Sequence, residues 1–303
     1  MNFDAAPFRP DTDAVPGKKS YVYHDKRIVL AVNVALATRR PLLITGVPGS
    51  GKSTLAADVA ERLDWAYVAT TVTSRTRLED LSARFDAVAR LSDAQEHKAK
   101  DAAHYAVPGV LWWAFNPESA GAMVRAQDHR TKPERSGHGT VVLLDEIDKA
   151  EPDLPNDLLE PLERSVINVP GHGAITAQAP LLIIITSNGE RSMPPAFLRR
   201  CIQLELADTE PGFFTAVATS HFGARQDTLY ADIAARTLEL GKAATHERRR
   251  PPSMAEYLDT VKACLAYGQR PPTADGPGTD LWDAIEEAAL RKTRAKPASE
   301  HRV

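Results

Sequence analysis

Nine consecutive residues hold the densest chemistry in the chain: Gly46, Val47, Pro48, Gly49, Ser50, Gly51, Lys52, Ser53 and Thr54 fit the spacing GxxxxGK[ST]. Glycines in such a loop let backbone N–H groups curl around phosphate oxygens, and a helix starting at its end adds unpaired donors and partial positive charge. Lys52 is placed to reach the β- and γ-phosphates of a nucleoside triphosphate, and the Ser53 hydroxyl to ligate Mg²⁺. A glycine-rich turn that binds nothing is the plainer alternative; the setting, after an apolar run and before a helical pattern, favours the phosphate loop. Downstream, the apolar run Val141 to Leu144 ends in Asp145 and Glu146. Adjacent carboxylates at a strand end divide the work: Asp145 holds Mg²⁺ directly or through water, and Glu146 orients or deprotonates an attacking water. By themselves they read as a strand entering a solvated loop, so their weight comes from the phosphate loop upstream. A third apolar run, Leu181 to Ile185, leads through Thr186 and Ser187 to Asn188. Parallel strands deliver their ends to one edge, which puts the Asn188 amide beside the γ-phosphate and the water; its simpler role is a turn residue before Gly189.

Several elements must position these side chains. Pro41 to Thr45 reads as a buried strand feeding the loop, and Leu55, Val59 and Leu63 recur at helical spacing after it. Ala66 to Val72 reads as a strand, Leu78 to Lys100 as helical with few interruptions, and Thr131 to Gly139 as a polar loop before the Val141 strand. Leu154 to Arg164 has an amphipathic helical pattern, and Ser165 to Ala177 has the composition of a hairpin with its tip at residues 170–173. With Leu181 to Thr186 and Cys201 to Leu206, about five short strands alternate with helices, which predicts an α/β fold with a parallel sheet flanked by helices. Strand signals stop after Asp208; Phe213 to Phe222, Thr228 to Leu240, Ser253 to Tyr267 and Leu281 to Thr293 all look helical. The expected organisation is a flexible arm over 1–19, a nucleotide-binding core over 20–207, and a small all-helical lid domain with a tail over 208–303.

Bulk composition sets the outer limits. Hydrophobic residues make up 43% and charged residues 25% of 303 residues, so a folded chain with a substantial core is expected. A net charge of -3 gives no general attraction to nucleic acid or to an anionic membrane. Cys201 and Cys264 lack metal-site spacing and read as reduced, packed thiols. The polar N-terminus has no signal-peptide pattern and no apolar run is long enough to cross a bilayer, so a cytoplasmic protein is expected.

The series GVPGSGKST, VVLLDEIDKA, IIITSN and PPAFLRRC, followed by a helical region, resembles the AAA+ ATPases and most closely their MoxR-like branch, over residues 20–265. The resemblance implies a P-loop NTPase core with a helical lid, assembled into a ring, commonly a hexamer, that hydrolyses ATP at subunit interfaces to remodel a protein partner. It implies as client a protein with a von Willebrand A domain. It also gives Arg199 and Arg200 a role, because the family places an arginine just before its last core strand to reach the neighbouring subunit's γ-phosphate; the pair leaves open which one acts. A nucleotide-sensing arginine is also expected in the lid. Arg250 is the nearest candidate although the family's usual position, inside the following helix, holds Met254 and Ala255, and a solvated basic cluster is the alternative. The Ser165 to Ala177 hairpin and the stretch Pro108 to Phe115 resemble family insertions. His172 at the hairpin tip either touches a partner or is an exposed loop residue, and Trp112 and Trp113 either grip a client or pack in the core.

Two other functional classes compete with the remodelling ATPase. One is a regulatory nucleotide switch with slow turnover, and the other a nucleic-acid motor, against which the acidic balance weighs. A GTPase or a small-molecule kinase fits less well, since no Asn-Lys-x-Asp guanine motif is present and the adjacent Asp145 and Glu146 with the helical tail favour ATPase rings.

Overall fold

A computed structural model describes residues 8–10, 21–123, 138–206, 211–224, 227–247, 249–272 and 279–291. The expected arm over 1–19, the polar loop over 131–139 and the junction near 207–212 lie largely outside the described residues. Phe8, inside the expected arm, is buried, and its backbone exchanges two hydrogen bonds with the Asn33 amide, at 2.6 and 2.8 Å.

The described strands are β1 (Leu42–Gly46), β2 (Ala66–Thr71), β3 (Ala83–Phe85), β4 (Ala106–Pro108), β5 (Thr140–Asp145), β6 (Val166–Val169), β7 (Gly173–Thr176), β8 (Leu181–Ser187) and β9 (Ile202–Leu206). Five of them form a parallel sheet in the order β2-β5-β8-β1-β9. Its central strands are apolar at consecutive positions because helices cover both faces. On one face Leu43, Val68, Val142, Leu144, Ile183 and Ile185 pack with the helix Val110–Phe115 and with Leu154, Leu158, Leu162 and Phe197. The alternate strand residues, Leu42, Ile44, Leu143 and Ile184, are equally buried, and the helices Lys26–Thr38 and Lys52–Leu63 contact these strands.

Two expected helices are broken. The segment read as helical from Leu78 to Lys100 is a helix Leu78–Ser82, then β3, then a helix Ala87–Gln95. Strand β3 pairs antiparallel with β4, and the Asp86 carboxylate then caps the second helix by accepting from Ala89 N at 2.8 Å. The segment Leu154 to Arg164 is likewise two short helices meeting at Leu158. The hairpin over Ser165 to Ala177 is present as β6 and β7.

The described residues divide into two compact units, the first taking in Asp25–Gly46 and Lys52–Leu206 with residues 8–10, the second residues 21–24, Val47–Gly51 and those from 211 onward. The second unit has its own core of Phe214, Leu229, Tyr230, Ile233, Tyr257, Val261, Trp282 and Ile285. Its helix Met254–Tyr267 begins with a capping box between Ser253 and Glu256 and ends at Gly268, whose φ of 64° suits glycine. Both cysteines are buried, and burial pushes the Cys201 thiol up to about 12 and the Cys264 thiol up to about 11, so both are inert thiols. No helix among the described residues is long and apolar enough to cross a membrane.

Candidate nucleotide site

Strand register decides what meets what. Thr45 pairs with Ser187 and Leu144 with Ile185, so Gly46, Asp145 and Thr186 finish at the same edge of the sheet. Ser53, in the first turn after the phosphate loop, donates to the Asp145 carboxylate, with both oxygens at 3.0 Å. Thr186 is fully buried between the two acids; its hydroxyl donates to Asp145 Oδ1 at 2.5 Å and accepts the Glu146 N–H at 2.9 Å. A hydroxyl and a carboxylate are hard oxygen donors, so Ser53 and Asp145 fit Mg²⁺.

Glu146 leaves the strand with φ 62°, a left-handed conformation that costs a non-glycine residue about 1 kcal/mol or more and persists where surroundings fix it. Here the fixing groups are Thr186 at its N–H, Asn188 Nδ2 donating to its Oε1 at 3.3 Å, and Lys149 Nζ donating to its Oε2 at 2.6 Å. The same bond to Glu146 raises the Lys149 pKa. Lys52 is buried, and its ammonium donates to Gly46 O at 2.7 Å. Burial lowers its pKa below the usual lysine value, against the opposing pull of Asp145, Asp148 and Glu146.

Within the second unit, the loop tip turns on Gly49 (φ 81°) and Gly51 (φ 88°), with Ser50 N donating to Val47 O at 3.2 Å. A Cβ on Gly49 would come within 2.7 Å of Ser253 Oγ, so glycine is needed there for space as well as for φ. Ser50 Oγ is buried without a hydrogen-bond partner among the described residues. Arg250 donates to Pro48 O at 3.4 Å and lies 3.9 Å from Glu256. Thr54 is exposed at the start of its helix.

Arg199 and Arg200 end the helix Pro195–Arg200, immediately ahead of β9. Because Ile202 pairs with Leu42, that helix end sits at the start of the sheet's strands, about 15 Å of strand away from the edge that carries Asp145. Neither arginine therefore joins Lys52, Asp145 and Asn188 in the same chain. Arg200 is tied to Glu163 and to Ala196 O, whereas Arg199 is exposed and its guanidinium has no partner among the described residues. Arg40 caps the helix end by donating to the carbonyls of Arg199, Arg200 and Cys201.

Trp112 and Trp113 are core residues, at 0% and 4% exposure, with the Trp112 indole N–H donating to Ser119 Oγ at 2.8 Å, so neither is presented to a client. His172 is half-buried, with Nε2 2.9 Å from Ala103 O and its ring edge-on to Trp112. Thr186 and Asp148 belong to the site although the sequence alone did not single them out. Both stand inside recognised motifs, two residues from Asn188 and from Glu146, and that adjacency was the available signal.

The AAA domain of the dynein-related subfamily matches residues 41–201, more than half of the chain, and the protein belongs to that family of AAA+ P-loop NTPases. No curated protein matches the chain. Among solved structures, it is similar to the Thermotoga maritima RuvB Holliday junction branch migration motor, at 17% identity and a TM-score of 0.45, covering 87% of this chain and 67% of that one. A point mutant of the same RuvB gives 16% identity and a TM-score of 0.48, with 87% and 69% covered.

Proposed function

We propose that this chain is the subunit of a Mg²⁺-dependent ATPase ring, a hexamer of the MoxR-like kind, that uses ATP hydrolysis to remodel or activate a protein partner, by resemblance one with a von Willebrand A domain. One observation carries the ATPase reading: Lys52, Ser53, Asp145, Glu146 and Asn188 converge at one edge of the sheet, the last four linked by hydrogen bonds that run through Thr186. Lys52 holds the β- and γ-phosphates, and the amides of residues 46–51 and the Ser50 hydroxyl cradle them. Ser53 and Asp145 would hold the metal ion, which would neutralise phosphate charge when bound. Glu146 accepts the proton of the attacking water as its oxygen bonds to the γ-phosphorus and the bond to ADP breaks, and the Asn188 amide orients Glu146 and the water. Arg250, against Pro48, reports the state of the loop.

Arg199 is the arginine that acts on the neighbouring subunit. Its guanidinium is exposed, without a partner among the described residues, at the sheet edge remote from its own site, whereas Arg200 is engaged by Glu163. Arg199→Ala is expected to lower turnover by about 10³-fold or more with ATP binding preserved. Arg200→Ala removes an exposed ion pair worth about 1 kcal/mol at most. Mixing Arg199→Ala subunits with Lys52→Ala subunits tests the trans action, since at mixed interfaces an intact pocket meets an intact arginine. Recovery of turnover in the mixture supports the assignment, and a mixture as inactive as its parts refutes it.

A further inference from the structure

Asp148 lies three residues from Asp145 and is 1% exposed, as deep as the core residues Leu43 and Leu182. A carboxylate at that depth is costly unless its oxygens are used. One is used twice: Oδ2 accepts the backbone N–H of Asn188 and that of Glu190, each at 3.0 Å. The other, Oδ1, has no hydrogen-bond partner among the described residues. No cation among those residues pairs with Asp148 by contact; Lys52 and Lys149 feel its charge at a distance. A buried acid without a direct counter-ion calls for a physical account, and its one engaged oxygen supplies it by gripping the turn that presents Asn188.

That turn has little else to hold it. Beyond β8 the chain passes Gly189 (φ 74°), around which a Cβ would find open space, and residues 189–192 are exposed. Its other ties among the described residues are Gly189 N donating to Ser187 Oγ at 3.0 Å and Arg191 donating to Ala150 O at 3.1 Å. Yet the Asn188 amide must stay at 3.3 Å from Glu146 Oε1, a spacing that a small rotation of the turn would break.

We propose that Asp148 is a positioning residue for hydrolysis: by gripping the N–H groups of Asn188 and Glu190 it holds the Asn188 amide on Glu146 and keeps the water-activating acid aimed. The proposal rests on the ATPase reading for its kinetic consequence but not for its structural one.

The test uses the full-length protein with Asp148→Ala, Asp148→Asn, Asn188→Ala and the double variant Asp148→Ala/Asn188→Ala. Amide hydrogen exchange over residues 187–190, without nucleotide, is read first. Asp148→Ala is expected to speed exchange at Asn188 and Glu190 by tenfold or more, as about 1.4 kcal/mol per tenfold implies for each lost bond to a charged acceptor. Asp148→Asn keeps an acceptor oxygen and should stay within about threefold of the native rate; it also serves if the alanine variant does not fold. Unchanged exchange in Asp148→Ala, or exchange in Asp148→Asn as fast as with alanine, overturns the strut whatever the ATPase results show.

In kinetics, Asp148→Ala should lower kcat by about 10- to 100-fold with the ATP dissociation constant changed by less than about threefold. The double variant should be no slower than the slower single, because both changes remove one function. Multiplying losses would overturn action through Asn188. Should Asn188→Ala leave kcat intact, the assignment of Asn188 to the reaction fails, and the exchange result still decides the strut.

Discussion

Two buried carboxylates, one in each unit, are held in opposite ways. Glu286 in the second unit is 5% exposed and is gripped by two guanidinium groups, Arg236 at 2.7 and 2.9 Å and Arg291 at 2.7 Å, with Glu239 completing the cluster. Asp148 in the first is buried further but, among the described residues, has backbone N–H partners on one oxygen and none on the other. Where charge is neutralised on the spot, the acid fastens helices together. Where it is left open, Asp148 and Asp145 face the buried Lys52 while Glu146 is paired with Lys149, so the negative charge at this edge is only partly matched by contacts within the described residues.

The contrast can be broken most strongly in the second unit. Arg236→Met leaves Glu286 buried with Arg291 alone, and breaking a buried pair from one side is expected to cost about 3 kcal/mol, readable in denaturant unfolding. The pH dependence follows. Burial tends to raise the Glu286 pKa, but Arg236 and then Arg291 outweigh it, so the native value lies below 4.5. The stabilisation is therefore complete above 4.5 and disappears as pH falls through the native value. Arg236→Met should flatten that acid limb, and an unchanged limb would show the cluster to be neutral for stability.

A smaller effect of opposite sign is expected at Lys52. Its native pKa is lowered by burial, so the unfolded chain binds this proton more tightly. Stability should rise with pH between the lowered native value and 10.5, and Lys52→Met should remove that rise. At neutral pH the same variant should melt higher, by about 2–4 °C for each kcal/mol recovered. A lower melting temperature in Lys52→Met would mean that its three acidic neighbours need the ammonium more than burial penalises it.

Much of this site was legible in sequence because its parts lie at the ends of apolar runs. A buried parallel strand has no solvent face, so Val141 to Leu144 and Leu181 to Ile185 announce themselves, and the first polar residue after each marks the edge. Thr186 and Asp148 were not legible as part of the site because their partners are set by register and turn geometry: Thr186 matters through β5 lying beside β8, and Asp148 through two N–H groups some 40 positions away. The interruption at β3 was hidden for a similar reason. Residues 78–100 have helical composition, and only pairing with 106–108 makes a strand of Ala83–Phe85. Of the two arginines before β9, composition gave no preference, and the ion pair to Glu163 supplied one.

ATP binding and turnover measured side by side in Lys52→Ala and Glu146→Gln test the central claim, a single pocket fed by three strands. Lys52→Ala should lose ATP binding, whereas Glu146→Gln should bind ATP as the native chain does and turn it over about 10²- to 10⁴-fold more slowly. Native-like turnover in Glu146→Gln, or undiminished ATP affinity in Lys52→Ala, would contradict the account.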